Sequence, residues 1–259
     1  TGLFDRTPYK AVTVNRIILE ENVAKMSKPL KNYPDPTQIV EKYGADSLRY
    51  YLLSSPVVRG EDLRFSERGV DEVNKKVFGR LDNVLQFYLL YGNLQPTTHN
   101  RQPRSKHVLD VWIVARLKQL IAEVAKSLEA YELDKATRPI GEFVDDLSTW
   151  YLRRSRERIK SENLDEKEQA LGTLRHVLSE LAKIMAPCSP FFAEYLYGKL
   201  TTNNQQPTTQ ERKSVHLENL PIAGKVDDKV LKEMEEVRRI VSLGLEARAK
   251  VNIKVRQPL

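Results

Sequence analysis

Residues 25–28, Lys25-Met26-Ser27-Lys28, set two ammonium groups three positions apart around a hydroxyl, with Pro29 next. Two lysines on one short loop can neutralise charge that spreads over polyphosphate oxygens during group transfer, and the Ser27 hydroxyl and backbone add hydrogen bonds. A solvated basic loop fits the same residues, since lysine–serine–lysine clusters are common. A second basic group lies far along the chain: Arg153, Arg154, Arg156, Arg158 and Lys160 follow closely on Trp150. Guanidiniums suit phosphates, and an indole offers a stacking surface for an unpaired base. Trp150, Arg153, Arg154 and Arg158 are therefore the candidate RNA-binding residues. The plainer alternatives are a core tryptophan and a helix end whose cations complement the macrodipole.

Other chemistries lack their residues. The sequence has no G-x-x-x-x-G-K phosphate loop, no paired carboxylates at catalytic spacing and no metal-ligand spacing. His99, His107, His176 and His216 are scattered and read as surface or packing residues. Cys188 is the only cysteine, so neither a disulfide nor a cysteine zinc site can be built within the chain. Set among Pro187, Phe191 and Phe192, it reads as a core thiol in a reducing, cytoplasmic setting. No complete active site is present.

The elements that must position these groups are mostly helices. With 259 residues, 41 % hydrophobic and 30 % charged, the composition is that of a soluble globular chain. No run of about 18 apolar residues suggests a membrane span. The formal charge of +7 mildly favours a polyanionic partner. Residues 10–20, rich in β-branched types, predict one or two short strands leading into the basic loop. Asp35-Pro36-Thr37 is a helix start, Gly44 a break, and a second helix follows to Pro56. From Ser66 onward, 3.6-residue periodicity dominates. It predicts helices over about 66–91, 107–130, 133–159, 166–186, 190–200 and 228–250. The loop 92–105 is polar, the Thr/Asn/Gln-rich stretch 201–213 reads as disordered, and 214–221 reads as briefly extended.

The fold class expected is mainly α, an antiparallel helix bundle preceded by a small α/β remnant of a nucleotide-binding fold. The expected units are 1–64, the bundle 65–200, a flexible linker 201–215 and a C-terminal region 216–259. The helix over 133–159 carries the basic group. With Phe143 at 0° and about 100° per residue, Leu147 falls at about 40°, Trp150 at about 340°, Arg154 at about 20° and Arg158 at about 60°. The wheel thus predicts an inner apolar stripe that Arg154 and Arg158 continue, opening onto phosphates.

These segments together resemble class I aminoacyl-tRNA synthetases. "KMSKP" resembles the KMSKS loop of that family, and "DPTQIVEKYGADSLRYYLLSS" the segment after it. "FVDDLSTWYLRRSRERIK", "IMAPCSPFFAEYLYGKL", "SVHLENLP" and "IKVRQPL" are similar to the isoleucyl subfamily, and the likeness covers nearly the whole chain. It implies that the chain is a C-terminal fragment whose parent activates isoleucine with magnesium-bound ATP and charges tRNA(Ile). Lys25 and Lys28 would then stabilise charge on the pyrophosphate side. Met26 and Ser27 would shape the ATP-binding loop, and the bundle would grip the anticodon stem-loop. Pro29 departs from the family's usual serine. The HIGH signature, the editing domain and the metal-binding tail have no counterpart in these residues. The fragment alone is expected to be inactive, without bound cofactor, monomeric and off the membrane. A catalytically inert RNA-binding module, a helical scaffold and the valyl or leucyl siblings are the rival readings.

Overall fold

The computed structural model describes residues 7, 9–10, 12–20, 26–27, 33–92, 105–201, 214–255 and 257. The stretches 93–104 and 202–213, read above as polar loop and disordered linker, lie outside them.

The first part is a small mixed unit. β1 (Ile18–Leu19) pairs in parallel with β2 (Leu63–Arg64), Ile18 facing Leu63. Among the described residues of the stretch expected to be β-rich, Ile18 and Leu19 form the strand, matching a partner strand that is itself two residues long. Between the strands, α1 (Pro36–Tyr43) starts as expected: the Asp35 carboxylate accepts from the Thr37 N–H at 2.8 Å, and Pro36 lacks the donor that would otherwise be orphaned. Gly44, at φ +83°, ends α1 and leads into α2 (Ala45–Leu53).

The rest is helical. α3 (Glu67–Val73) runs through a π-helical stretch, Asn74–Gly79, into α4 (Arg80–Tyr91). α5 (Val108–Glu129), α6 (Leu133–Asp145), α7 (Arg153–Lys160), α8 (Leu164–Met185), α9 (Pro190–Thr201) and α10 (Asp228–Lys250) follow. α5 packs on α6, α8 and α10, while α8 packs on α7 and α9. One core joins them, with Leu81, Leu85, Trp112, Leu117, Phe143 and Leu174 among its buried side chains. Cys188 lies in the interior, its sulfur 3.6 Å from the Thr137 hydroxyl, and burial pushes its thiol pKa up, as befits a packing residue.

Two expectations change. The 214–221 piece is extended only in part: Ser214 and Glu218 are, but Val215–Leu217 between them form a 3-10 turn. The α9 carboxylate of Glu194 accepts from both the Ser214 hydroxyl and the Val215 N–H, which pulls the chain into a turn and buries Val215. The helix over 133–160 is also not uniformly α. Asp146–Leu152 is π-helical, joining α6 to α7 without a break. Phe143, Leu147, Tyr151, Ser155 and Ile159 are all fully buried, a step of four residues each time. In a 3.6-residue helix, Ile159 would face about 160° away from Phe143. The wider turn takes up that drift.

α6 also ties the bundle to the first part. The Tyr50 hydroxyl donates to the Thr137 carbonyl at 2.8 Å, and the Arg138 Nε–H to the Ser54 carbonyl at 2.7 Å. Arg59, in the turn after α2, pairs with the buried Asp134 at 3.0 Å.

Candidate nucleic-acid interface

Of the four loop residues, Met26 and Ser27 are described, each half-buried. Lys25 and Lys28 lie outside the described residues.

The arginine-rich end is fully described, and the π-turn decides its layout. Because the inward stripe now passes through Ser155 and Ile159, Arg153, Arg154, Arg156 and Lys160 are exposed. The wheel's placement of Arg154 on the inner stripe is therefore corrected: the extra residue in the turn rotates it outward. Arg158 goes the other way. Its side chain is 12 % exposed, and its two terminal nitrogens donate to both oxygens of Asp110, at 3.1 and 2.8 Å. Asp110 also accepts from the Tyr151 hydroxyl at 2.8 Å and the Ser105 hydroxyl at 2.5 Å. Burial first, and the Asp110 charge second, hold the Tyr151 pKa well above its ordinary value, so it stays a neutral donor. His107 caps α5 beside this group, its Nδ1 accepting from the Leu109 N–H at 3.2 Å. Arg158 thus anchors α7 to the start of α5 and is not brought to the surface with Arg153 and Arg154.

Trp150 is half-buried, and its ring is occupied. The indole N–H donates to the Met234 sulfur at 3.2 Å, and the Arg154 guanidinium lies 3.3 Å from the ring centre. An indole face so covered serves as backing for a cation rather than as an open platform for a base. The stack holds the Arg154 fork in place, with one nitrogen on the Thr149 carbonyl at 3.4 Å. Desolvation and the neighbouring Arg153 and Arg238 lower the Arg154 pKa, yet a guanidinium remains charged. Among the described residues no carboxylate pairs with Arg153, Arg154, Arg156 or Lys160, and Arg156 sits 5.7 Å from the Phe87 ring centre. The result is an exposed cationic face on a rigid helix, suited to phosphate oxygens.

Sequence reasoning missed the residues that complete this face. Asp146 accepts from Arg116 at 3.0 Å on one oxygen and from Arg238 of α10 at 2.6 Å on the other. The signal was there to read: Val230, Met234 and Arg238 are spaced four apart, a charge continuing an apolar series.

Comparison with known proteins fits this picture. The family model described as "Anticodon-binding domain of tRNA ligase" matches residues 110–259, and that described as "tRNA synthetases class I (I, L, M and V)" matches residues 1–65. The isoleucine–tRNA ligase of Chlamydia muridarum is 41 % identical over 262 residues, covering 100 % of this chain and 25 % of its own length. That of Protochlamydia amoebophila is 41 % identical over 268 residues, covering 100 % and 25 %. The chain thus spans about a quarter of the length of the curated relatives it matches. Among solved structures, the LeuRS chain of the Agrobacterium radiobacter K84 agnB2 LeuRS-tRNA-LeuAMS ternary complex has a TM-score of 0.61 at 19 % identity, over 84 % of this chain and 24 % of its own, a likeness of fold. With a family model matched over more than half its length, homologous throughout to isoleucine–tRNA ligases, this chain belongs to the anticodon-binding domain family of the tRNA ligases.

Proposed function

We propose that this chain is the RNA-gripping and loop-bearing part of an isoleucine–tRNA ligase, a cytoplasmic monomer that activates isoleucine with magnesium-bound ATP and esterifies it to tRNA(Ile). The observation that carries the RNA reading is the Arg154 guanidinium, stacked on Trp150 and exposed without a carboxylate partner among the described residues. In the bound state Arg153 and Arg154 neutralise phosphates of the anticodon stem-loop, and Trp150 holds Arg154 to its task. Arg158 serves the same surface from behind, by fixing α7 on Asp110. At the other end, Lys25 and Lys28 neutralise the pyrophosphate side of ATP as the mixed anhydride forms, with Met26 and Ser27 shaping their loop. The isolated chain, which resembles only this portion of its relatives, binds RNA and does not catalyse ATP–pyrophosphate exchange.

Titration of the chain with a tRNA(Ile) anticodon stem-loop transcript, against the same stem-loop with altered anticodon bases, tests the reading at two salt concentrations. The native anticodon is expected to bind tighter, and the binding to weaken as salt rises. Equal binding of every RNA of that length would instead favour a helical scaffold whose charge is incidental. Preference for a valine or leucine tRNA anticodon would favour a sibling ligase.

A further inference from the structure

α10 is docked by its first half alone among the described residues: Val230 and Met234 are buried, while Val237, Ile240 and Val241 are exposed. The docked half ends on Arg238, where two guanidiniums share one carboxylate. The single carboxylate of Asp146 carries Arg116 on one oxygen and Arg238 on the other, with Arg154 and Arg153 beyond them. The Arg238 guanidinium lies 5.3 Å from the Trp150 ring centre and 5.8 Å from that of Trp112, and its side chain is 35 % exposed. Two guanidiniums from helices far apart in sequence, Arg154 of α7 and Arg238 of α10, therefore share one indole and face the same solvent. Folding alone gains nothing from that crowding, because like charges brought together repel. An anion laid across both relieves it.

We propose that Arg238 contacts RNA directly, forming with Arg154 a two-helix clamp on the phosphate backbone, so that α10 belongs to the binding surface. The inference rests on the RNA-binding reading above. Trp150 is the fulcrum: its ring seats Arg154, and its N–H, through Met234, seats the helix that carries Arg238. The alternative is that Arg238 is only a brace for Asp146.

Arginine-specific labelling of the 259-residue chain with phenylglyoxal, read by peptide mass spectrometry with and without the tRNA(Ile) anticodon stem-loop, separates the cases. RNA is expected to slow labelling of Arg154 and Arg238 several-fold each and to leave the exposed Arg68 unchanged. Shielding of Arg154 without Arg238 overturns the clamp and leaves the RNA reading standing; shielding of neither overturns both. Variants add a readout that a brace does not move. Arg238→Gln should flatten the dependence of log K on log salt by about 0.7 to 0.9, one phosphate contact, while Arg238→Lys keeps the slope. If both variants weaken binding at an unchanged slope, Arg238 is a brace and the clamp is wrong.

Discussion

Two aspartates that receive arginines around the arginine-rich end, Asp110 of α5 and Asp146 of the π-turn, behave oppositely. Asp110, 1 % exposed, meets four donors: both ends of the Arg158 fork and the hydroxyls of Tyr151 and Ser105. Charge there is matched one to one, and water has little access. Asp146, with a side chain 10 % exposed, is overmatched, holding Arg116 and Arg238 with unpaired Arg153 and Arg154 alongside. The same residue pair is a fastener in one place and part of a binding face in the other. What distinguishes them is stoichiometry: a neutralised, dry pair has nothing left to offer a ligand, whereas surplus cations at the water boundary do.

Mutations should break the two sites in different currencies. Asp110→Ala, which strands a buried guanidinium, should lower the unfolding free energy in urea by about 3 to 5 kcal/mol. A loss under about 1 kcal/mol would mean that the pair is not the fastener described. Arg154→Ala should do the reverse, reducing stem-loop affinity about tenfold, or ~1.4 kcal/mol, while the lost stack costs under about 1 kcal/mol of stability. If Arg154→Ala unfolds the protein and leaves affinity intact, the two sites have been assigned the wrong way round.

A smaller effect concerns pH at the Asp110 site. The His107 ring must stay neutral to accept from the Leu109 N–H, and burial, aided by the Arg158 charge, lowers its pKa from the ordinary 6.5. The unfolded chain therefore takes up its proton first. The cap's contribution is complete above pH 6.5 and is lost as pH falls through the lower folded value. Half-buried His176, also lowered by desolvation, acts in the same window. Thermal melts between pH 7 and 5 should show a loss of about 1 kcal/mol that His107→Ser removes, since serine caps at every pH. An unchanged pH profile in His107→Ser would assign the whole effect to His176.

Helices were legible because their apolar spacing, the Asp35-Pro36 start and the Gly44 break each have a local physical cause. The basic cluster after Trp150 was legible from residue type. Its facing was not, since a wheel assumes one pitch, and a single π-turn rotates Arg154 outward and leaves Arg158 inward without a mark in residue type. Arg238 lies 88 residues beyond Trp150, a distance that only tertiary packing closes. The β1–β2 pairing was hidden likewise, because a two-residue strand such as Leu63–Arg64 is too short to show a period. The lysines of the loop, the plainest chemical signal in the sequence, lie outside the described residues.

The π-turn over 146–152 also marks where the chain carries slack. Outside this turn and the π-helical stretch Asn74–Gly79, dropping one residue from a helix throws every later apolar side chain about 100° off its seat. Within this turn the same deletion restores ordinary α pitch, and Ser155 and Ile159 keep their inward aim. Among homologous chains, a length difference of one residue is therefore tolerable here and ruinous in α5 or α8, so the alignment gap that looks most alarming is the one that changes the arginine face least.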